Sequence, residues 1–95
     1  ARDRKIDALN LSISYEENSL AQLQMKLDEE IAVAARNERA GREVPEVVQQ
    51  AIERLKRQIE MTEEKLQEFE IDIDAAKKEF APIIQRLKEI ENAES

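Results

Sequence analysis

The sequence predicts an all-α protein in which two long helices fold back on each other as an antiparallel coiled-coil hairpin. Three observations support this fold class. The 95-residue chain is 41% hydrophobic and 39% charged but holds only one Gly and two Pro, a composition typical of long helices. Its apolar residues recur at alternating steps of four and three along most of its length. Its only Gly and its first Pro stand close together near the middle, where the chain would reverse.

The first helix is expected over about residues 3–40. Its seam, the stripe of side chains that faces the other helix, includes two Glu residues and is therefore imperfect. The seam residues are Ile6, Leu9, Ile13, Glu16, Leu20, Leu23, Leu27, Glu30 and Ala34. We expect Glu16 and Glu30 to reach solvent or to set the register. A catalytic role is not expected, since no nucleophile–base pair or Gly-rich phosphate loop accompanies them.

A loop over residues 41–44 joins the helices, and the second helix is expected from Pro45 to about residue 92. A Gly just past one helix and a Pro at the first position of the next form the usual stop-and-start pattern, and so short a loop returns the chain antiparallel. Pairing the helices symmetrically about Gly41 brings both seams into register. The seam of helix 2 has one polar member and consists of Val48, Ile52, Leu55, Ile59, Thr62, Leu66, Phe69, Ile73, Ala76, Phe80, Ile83, Leu87 and Ile90.

Helix 2 extends beyond the point where helix 1 runs out, and Pro82 at this point predicts a kink or break. The amphipathic segment that follows, here called the overhang, has no partner within the hairpin. Its apolar residues are Ile83, Ile84, Leu87 and Ile90. Burying each is worth about 1.5–3 kcal/mol, so we expect a second copy to cover them in a four-helix homodimer. Otherwise the overhang folds back, or residues 1–95 are a segment of a longer protein, since the sequence begins without Met.

Two further features of the sequence bear on assembly. Helix 1 carries a weak second stripe, Leu11, Tyr15 and Met25, on the side opposite its seam, where another hairpin would dock. In an alternative topology, helix 2 forms a parallel coiled coil with helix 2 of a second chain. Charges such as Lys65 and Glu70 then pair between the chains, and helix 1 packs on the outside.

The composition excludes several classes of chemistry. Without Cys or His the chain offers no thiolate, zinc cluster or imidazole base, so we expect no cofactor, no metal and no enzymatic activity. A net charge of −7 and a pI near 4.7 argue against nucleic-acid binding. No apolar run approaches the ~20 residues that span a bilayer, so no membrane interaction is expected. The acidic run from Glu60 to Asp74 is interpreted as a solvated face.

The expected function is that of a non-enzymatic structural or adaptor module that self-associates and contacts a second, unidentified protein in the cytoplasm. At the tip of the hairpin, Arg36, Arg39 and Arg42 form the one basic cluster, suited to an acidic partner as well as to the helix dipole. The tip half, residues 22–57, is neutral overall, whereas the base half, residues 1–21 and 58–83, carries six basic and twelve acidic residues. The alternative is a chaperone-like helical hairpin that holds client or export-substrate segments.

Overall fold

The computed structural model describes the backbone from Arg2 to Glu94 and the side chains from Arg4 to Glu79. It contains two α-helices, α1 over Arg2–Arg39 and α2 over Glu46–Glu94. The two helices pack against each other, which confirms the all-α helical hairpin. The molecule is a rod of 79 × 20 × 14 Å. At a helix diameter of about 10 Å, the rod is two helices wide and one helix deep.

The chain reverses at Gly41, where the sequence places the end of α1. Gly41 has a φ of +72°, the left-handed conformation that a residue without a Cβ adopts most easily. Its N–H donates to the carbonyl of Glu38 at 3.0 Å, and the N–H of Arg42 donates to the carbonyl of Asn37 at 2.9 Å. These two bonds form a Schellman motif, which satisfies carbonyls that the end of α1 leaves free.

The start of α2 differs by one residue from the expected one. The carbonyl of Pro45 accepts hydrogen bonds from the N–H groups of Val48 at 3.0 Å and Gln49 at 3.1 Å. Pro45 therefore caps α2 from just outside and does not occupy its first helical position. Glu46 follows in the first turn, where a negative charge interacts favourably with the helix dipole.

Among the described side chains, the seam predicted for each helix is the face that the structure covers, and the seam positions from Phe80 onward lie outside them. Along α2, Val48, Leu55 and Ile73 are 8–9% exposed, and Ala76 is 2% exposed. The remaining predicted positions of α2 up to Phe69 are at least half-buried, and so are all nine predicted positions of α1, including Glu16 and Glu30. The least exposed residues of α2 thus recur at the steps of four and three that the sequence shows.

Thr62 is the polar member of the α2 seam, and it is 9% exposed. Its hydroxyl donates to the carbonyl of Gln58, one turn earlier in the same helix, at 2.8 Å. A buried hydroxyl is costly unless it is hydrogen-bonded, and this bond removes that cost without a partner on α1.

Of the kink or break expected at Pro82, the break is wrong, because α2 continues through this residue to Glu94, and the kink stays a prediction. A Pro inside a helix removes only its own N–H bond and crowds the carbonyl one turn earlier. The residues on either side, rich in Ala, Lys, Glu, Gln and Leu, favour helix strongly enough to continue it.

Candidate interaction surfaces

The three arginines singled out in the sequence lie at the end of α1 and in the loop that follows it. Arg36 and Arg39 lie in the last turn of α1, Arg42 lies in the loop, and all three are exposed. The Nε–H of Arg39 donates to the carbonyl of Ala35 at 3.4 Å, so this side chain also serves the end of its own helix. The cluster offers planar guanidinium donors that bind carboxylates in pairs, together with the positive charge that the C-terminal end of α1 favours.

Large apolar side chains are exposed on both helices. On α1, Leu11 is 73% exposed, Tyr15 is 70% and Met25 is 64%, in agreement with the weak second stripe of the sequence. On α2, the exposed apolar side chains are Val47 at 73%, Met61 at 60% and Ile71 at 66%. Sequence reasoning missed these three residues of α2 because none lies in the predicted seam and the three form no regular stripe of their own.

An open cleft of about 300 Å³ lies between the helices near the middle of the region where they overlap. Its lining consists of Tyr15, Glu16, Ser19, Leu23, Gln58, Met61, Thr62 and Lys65. The cleft occurs where the seam holds a Glu on α1 and a Thr on α2 in place of large apolar side chains, so the core is incompletely filled there. Sequence reasoning marked both seam positions as polar but did not predict a cleft between them.

The cleft also reports the register of the hairpin. It places Ser19 and Leu23 of α1 beside Gln58 and Thr62 of α2. Pairing about Gly41 also places this part of α1 beside this part of α2, whereas a slip of one heptad would move the two relative to each other by seven residues. In the alternative parallel topology, a second copy would need the seam of α2 that α1 of the same chain covers here.

The acidic side chains do not build a metal centre within the region whose side chains are described. The carboxylates from Glu60 to Asp74 are all exposed along α2, and no three acidic residues among residues 4–79 gather closely enough to hold a cation. Glu16 lies in the cleft, which also contains Lys65 and the hydroxyls of Ser19 and Thr62. These groups can form hydrogen bonds or ion pairs with a polar segment that enters the cleft.

The apolar residues predicted to mediate oligomerisation, Ile83, Ile84, Leu87 and Ile90, lie outside the described side chains. No helix in the part of the chain that the structure describes has a stretch apolar and long enough to cross a bilayer.

Comparison of the chain with protein-family models, curated proteins and solved structures finds no match.

Proposed function

We propose that this chain is a non-enzymatic structural or adaptor module, an antiparallel coiled-coil hairpin that self-associates and presents its helix faces to other proteins. The observation that carries the proposal is the exposure of large apolar side chains on a rod with a thin core. Leu11, Tyr15 and Val47 are each at least 70% exposed. Removing such side chains from water is worth roughly 1.5–3 kcal/mol each, so association of the rod with another helical surface is favoured.

The seven-residue spacing of the covered positions supports the coiled-coil part of the proposal. A strict repeat of this kind, maintained along α2, keeps its seam on the partner helix only if the helices wind around each other with left-handed twist. Such rods act by holding surfaces at fixed separations, and their function depends on which faces remain uncovered.

Self-association is the part of the proposal that is most directly measurable. We expect two populations of the full chain, each labelled at Glu53→Cys with a donor or an acceptor dye, to show energy transfer on mixing. Glu53 is exposed on α2 and the native chain has no Cys, so the label is unique and does not disturb the seam. An excess of unlabelled chain should abolish the transfer. If no transfer occurs at any concentration, every assembly that places the two α2 helices side by side is excluded.

The overhang is proposed to contribute to this assembly. In the same assay, the full-length variant Ile83→Ser/Leu87→Ser/Ile90→Ser is expected to weaken energy transfer, because its apolar side chains gain most from burial against a second copy. Unchanged transfer would show that the overhang is not part of the contact.

The arginine cluster is proposed as the contact for an acidic partner protein. We expect the full chain to bind a polyglutamate peptide and the variant Arg36→Ala/Arg39→Ala/Arg42→Ala to lose that binding, with salt weakening it progressively. Replacement of the three exposed cations Arg54, Lys56 and Arg57 on α2 by Ala is the matched control and should leave binding unchanged. Equal losses in both variants would mean that the peptide responds to general charge and not to the tip.

The cleft favours a second candidate function, that of a chaperone-like hairpin that holds client segments. Its rim carries the exposed side chains of Tyr15 and Met61, which are suited to adaptable apolar contacts. In this case the native chain should increase the fluorescence of an environment-sensitive hydrophobic dye, and Tyr15→Ser/Met61→Ser should remove that increase. Negligible dye binding by the native chain would count against the chaperone function.

A further inference from the structure

The outer surfaces of the two helices differ in charge over the same length of the rod. Between Ala8 and Met25, eleven side chains of α1 are exposed, and Glu17 is the only charged one among them. Between Arg57 and Asp74 on α2, which lies alongside, nine of the thirteen exposed side chains are charged. Because depletion of charge with enrichment of aromatic residues and Met characterises the centres of protein interfaces, the exposed surface of α1 has the composition of a contact surface.

One side of this surface is here called the neutral face, and its edge residue Tyr15 also lines the cleft between the helices. It consists of Ala8, Leu11, Ser14, Tyr15, Asn18, Ala21, Gln22 and Met25, all of them exposed. Their spacing of three, four and seven residues places them on one side of α1, in a stripe about 26 Å long. Small side chains between the large ones allow another helix to approach closely.

We propose that two copies of this chain dock through the neutral face, with α1 packed against α1 in antiparallel orientation. The inference rests on the self-association proposed above but assigns it to a surface other than the overhang, so unchanged energy transfer in the overhang variant would agree with it. The centre of the interface consists of uncharged residues from each copy, and the two α2 helices lie on the outside of the assembly.

Charge identifies a second copy as the occupant. Each chain carries −7, and the exposed residues of α2 from Arg57 to Asp74 include two basic and seven acidic side chains, so contact through α2 would place like charges together. Docking through α1 keeps the two α2 helices about 25–30 Å apart, beyond the screening length of about 8 Å at physiological salt. In a two-fold contact, each residue near the axis lies against the same residue of the other chain. Charged residues would repel each other there, whereas uncharged residues do not.

The antiparallel orientation follows from the uneven charge along the rod. The base half of the hairpin, residues 1–21 and 58–83, carries six basic and twelve acidic residues, whereas the tip half, residues 22–57, carries seven of each. Parallel docking would place the two acidic base halves side by side. Antiparallel docking places each base beside the neutral tip of the other copy, which avoids that repulsion.

A two-fold axis near residue 20 gives residues 15–25 of the neutral face a self-complementary register. In this register Tyr15 of each copy meets Met25 of the other, a favourable contact of sulfur with an aromatic ring. Asn18 meets Gln22, and because each amide is both a donor and an acceptor, the two can pair directly. A polar pair at the centre of an apolar stripe also opposes slippage to other registers.

The size of the stripe sets the expected affinity. A contact one helix wide over residues 15–25 of each copy, about 15 Å long, is smaller than the roughly 800 Å² per partner of a standard interface, so we expect a dissociation constant of micromolar order. The experiments below therefore span chain concentrations from about 1 to about 200 µM.

The first experiment places a charge on the neutral face of the full chain. Leu11→Glu is expected to weaken the dimer at least about 10-fold in sedimentation equilibrium, with unchanged helical circular dichroism because Leu11 is 73% exposed. The matched control is Ile71→Glu, on the opposite outer surface at the same height of the rod, where the side chain is 66% exposed. The control is expected to dimerise like the native chain.

The second experiment tests the orientation with single cysteines at exposed alanines. Ala21→Cys, close to the proposed axis, should form an interchain disulfide on mild oxidation. Ala8→Cys on the same face should not, because antiparallel docking separates the two copies of that residue by roughly 40 Å. Ala75→Cys on α2 measures the background of random collisions.

Each outcome supports or overturns the inference. Loss of the dimer in Leu11→Glu alone, with cross-linking at residue 21 alone, supports it. Cross-linking at both residues 8 and 21 would overturn the antiparallel orientation. A dimer that survives Leu11→Glu would show that another surface is used, so the neutral face would be wrong while the proposed self-association stands. A native chain that stays monomeric up to the highest concentration would overturn both.

Discussion

At the scale of single residues, Gly41 decides where the chain turns back. Its φ of +72° allows the N–H groups of residues 41 and 42 to reach the carbonyls of Glu38 and Asn37. A Cβ at this position would meet no atom within 4 Å, so the requirement for Gly is purely conformational.

Gly41→Ala is therefore expected to lower the free energy of unfolding by about 1–2 kcal/mol, the cost of holding an L-residue in the left-handed conformation. Urea denaturation at one fixed chain concentration measures it. Gly41→Asn is the control and should lose less, since Asn adopts this conformation more readily than Ala. An Ala variant as stable as the native chain would show that the turn does not need this conformation.

At the scale of secondary-structure elements, the stability of the hairpin comes from one stripe on each helix. Ile73 and Ile71 are two residues apart on α2, yet they are 9% and 66% exposed, respectively. The same substitution at these two positions therefore compares a covered and an uncovered side chain with equal change in helix propensity.

Ile73→Ala is expected to destabilise the hairpin by about 2–4 kcal/mol, through lost burial and a cavity opposite α1. Ile71→Ala should change the stability by less than about 0.5 kcal/mol. Thermal or urea unfolding of both variants at matched concentration tests this. Similar losses in the two variants would contradict the register of α2.

Pro82 tests the continuity of α2. Because it lies inside the helix, Pro82→Ala is expected to stabilise the helical state of the surrounding segment by up to about 3 kcal/mol. Slower amide hydrogen exchange on both sides of residue 82 and a gain in helical circular dichroism would report it. If neither changes, α2 ends before this residue in solution.

The elements that the sequence predicts best are those determined by periodicity and by turn chemistry. The seams of α1 and α2 and the reversal at Gly41 follow from repeated local rules, so each could be read from the chain alone. The cleft beside Thr62 could not, since it depends on how side chains of both helices together fill the space between them. The break at Pro82 was wrong because a rule about one residue was outweighed by the helix-favouring residues around it.

At the scale of the whole molecule, the hairpin is a rod 79 Å long with a core only one side chain deep between its helices. Its surface carries exposed apolar residues on both helices and a stripe on α1 that lacks charge. Such a molecule gains stability when those surfaces are covered. The proposed function therefore depends on assembly with a second copy.

The most direct test is the absolute molar mass of the native chain, determined by light scattering coupled to size exclusion at about 10 µM and about 200 µM. The predicted mass rises with concentration from near the 11.0 kDa of one chain toward twice that value. A mass of 11.0 kDa at both concentrations would contradict self-association and leave the exposed faces for a different protein.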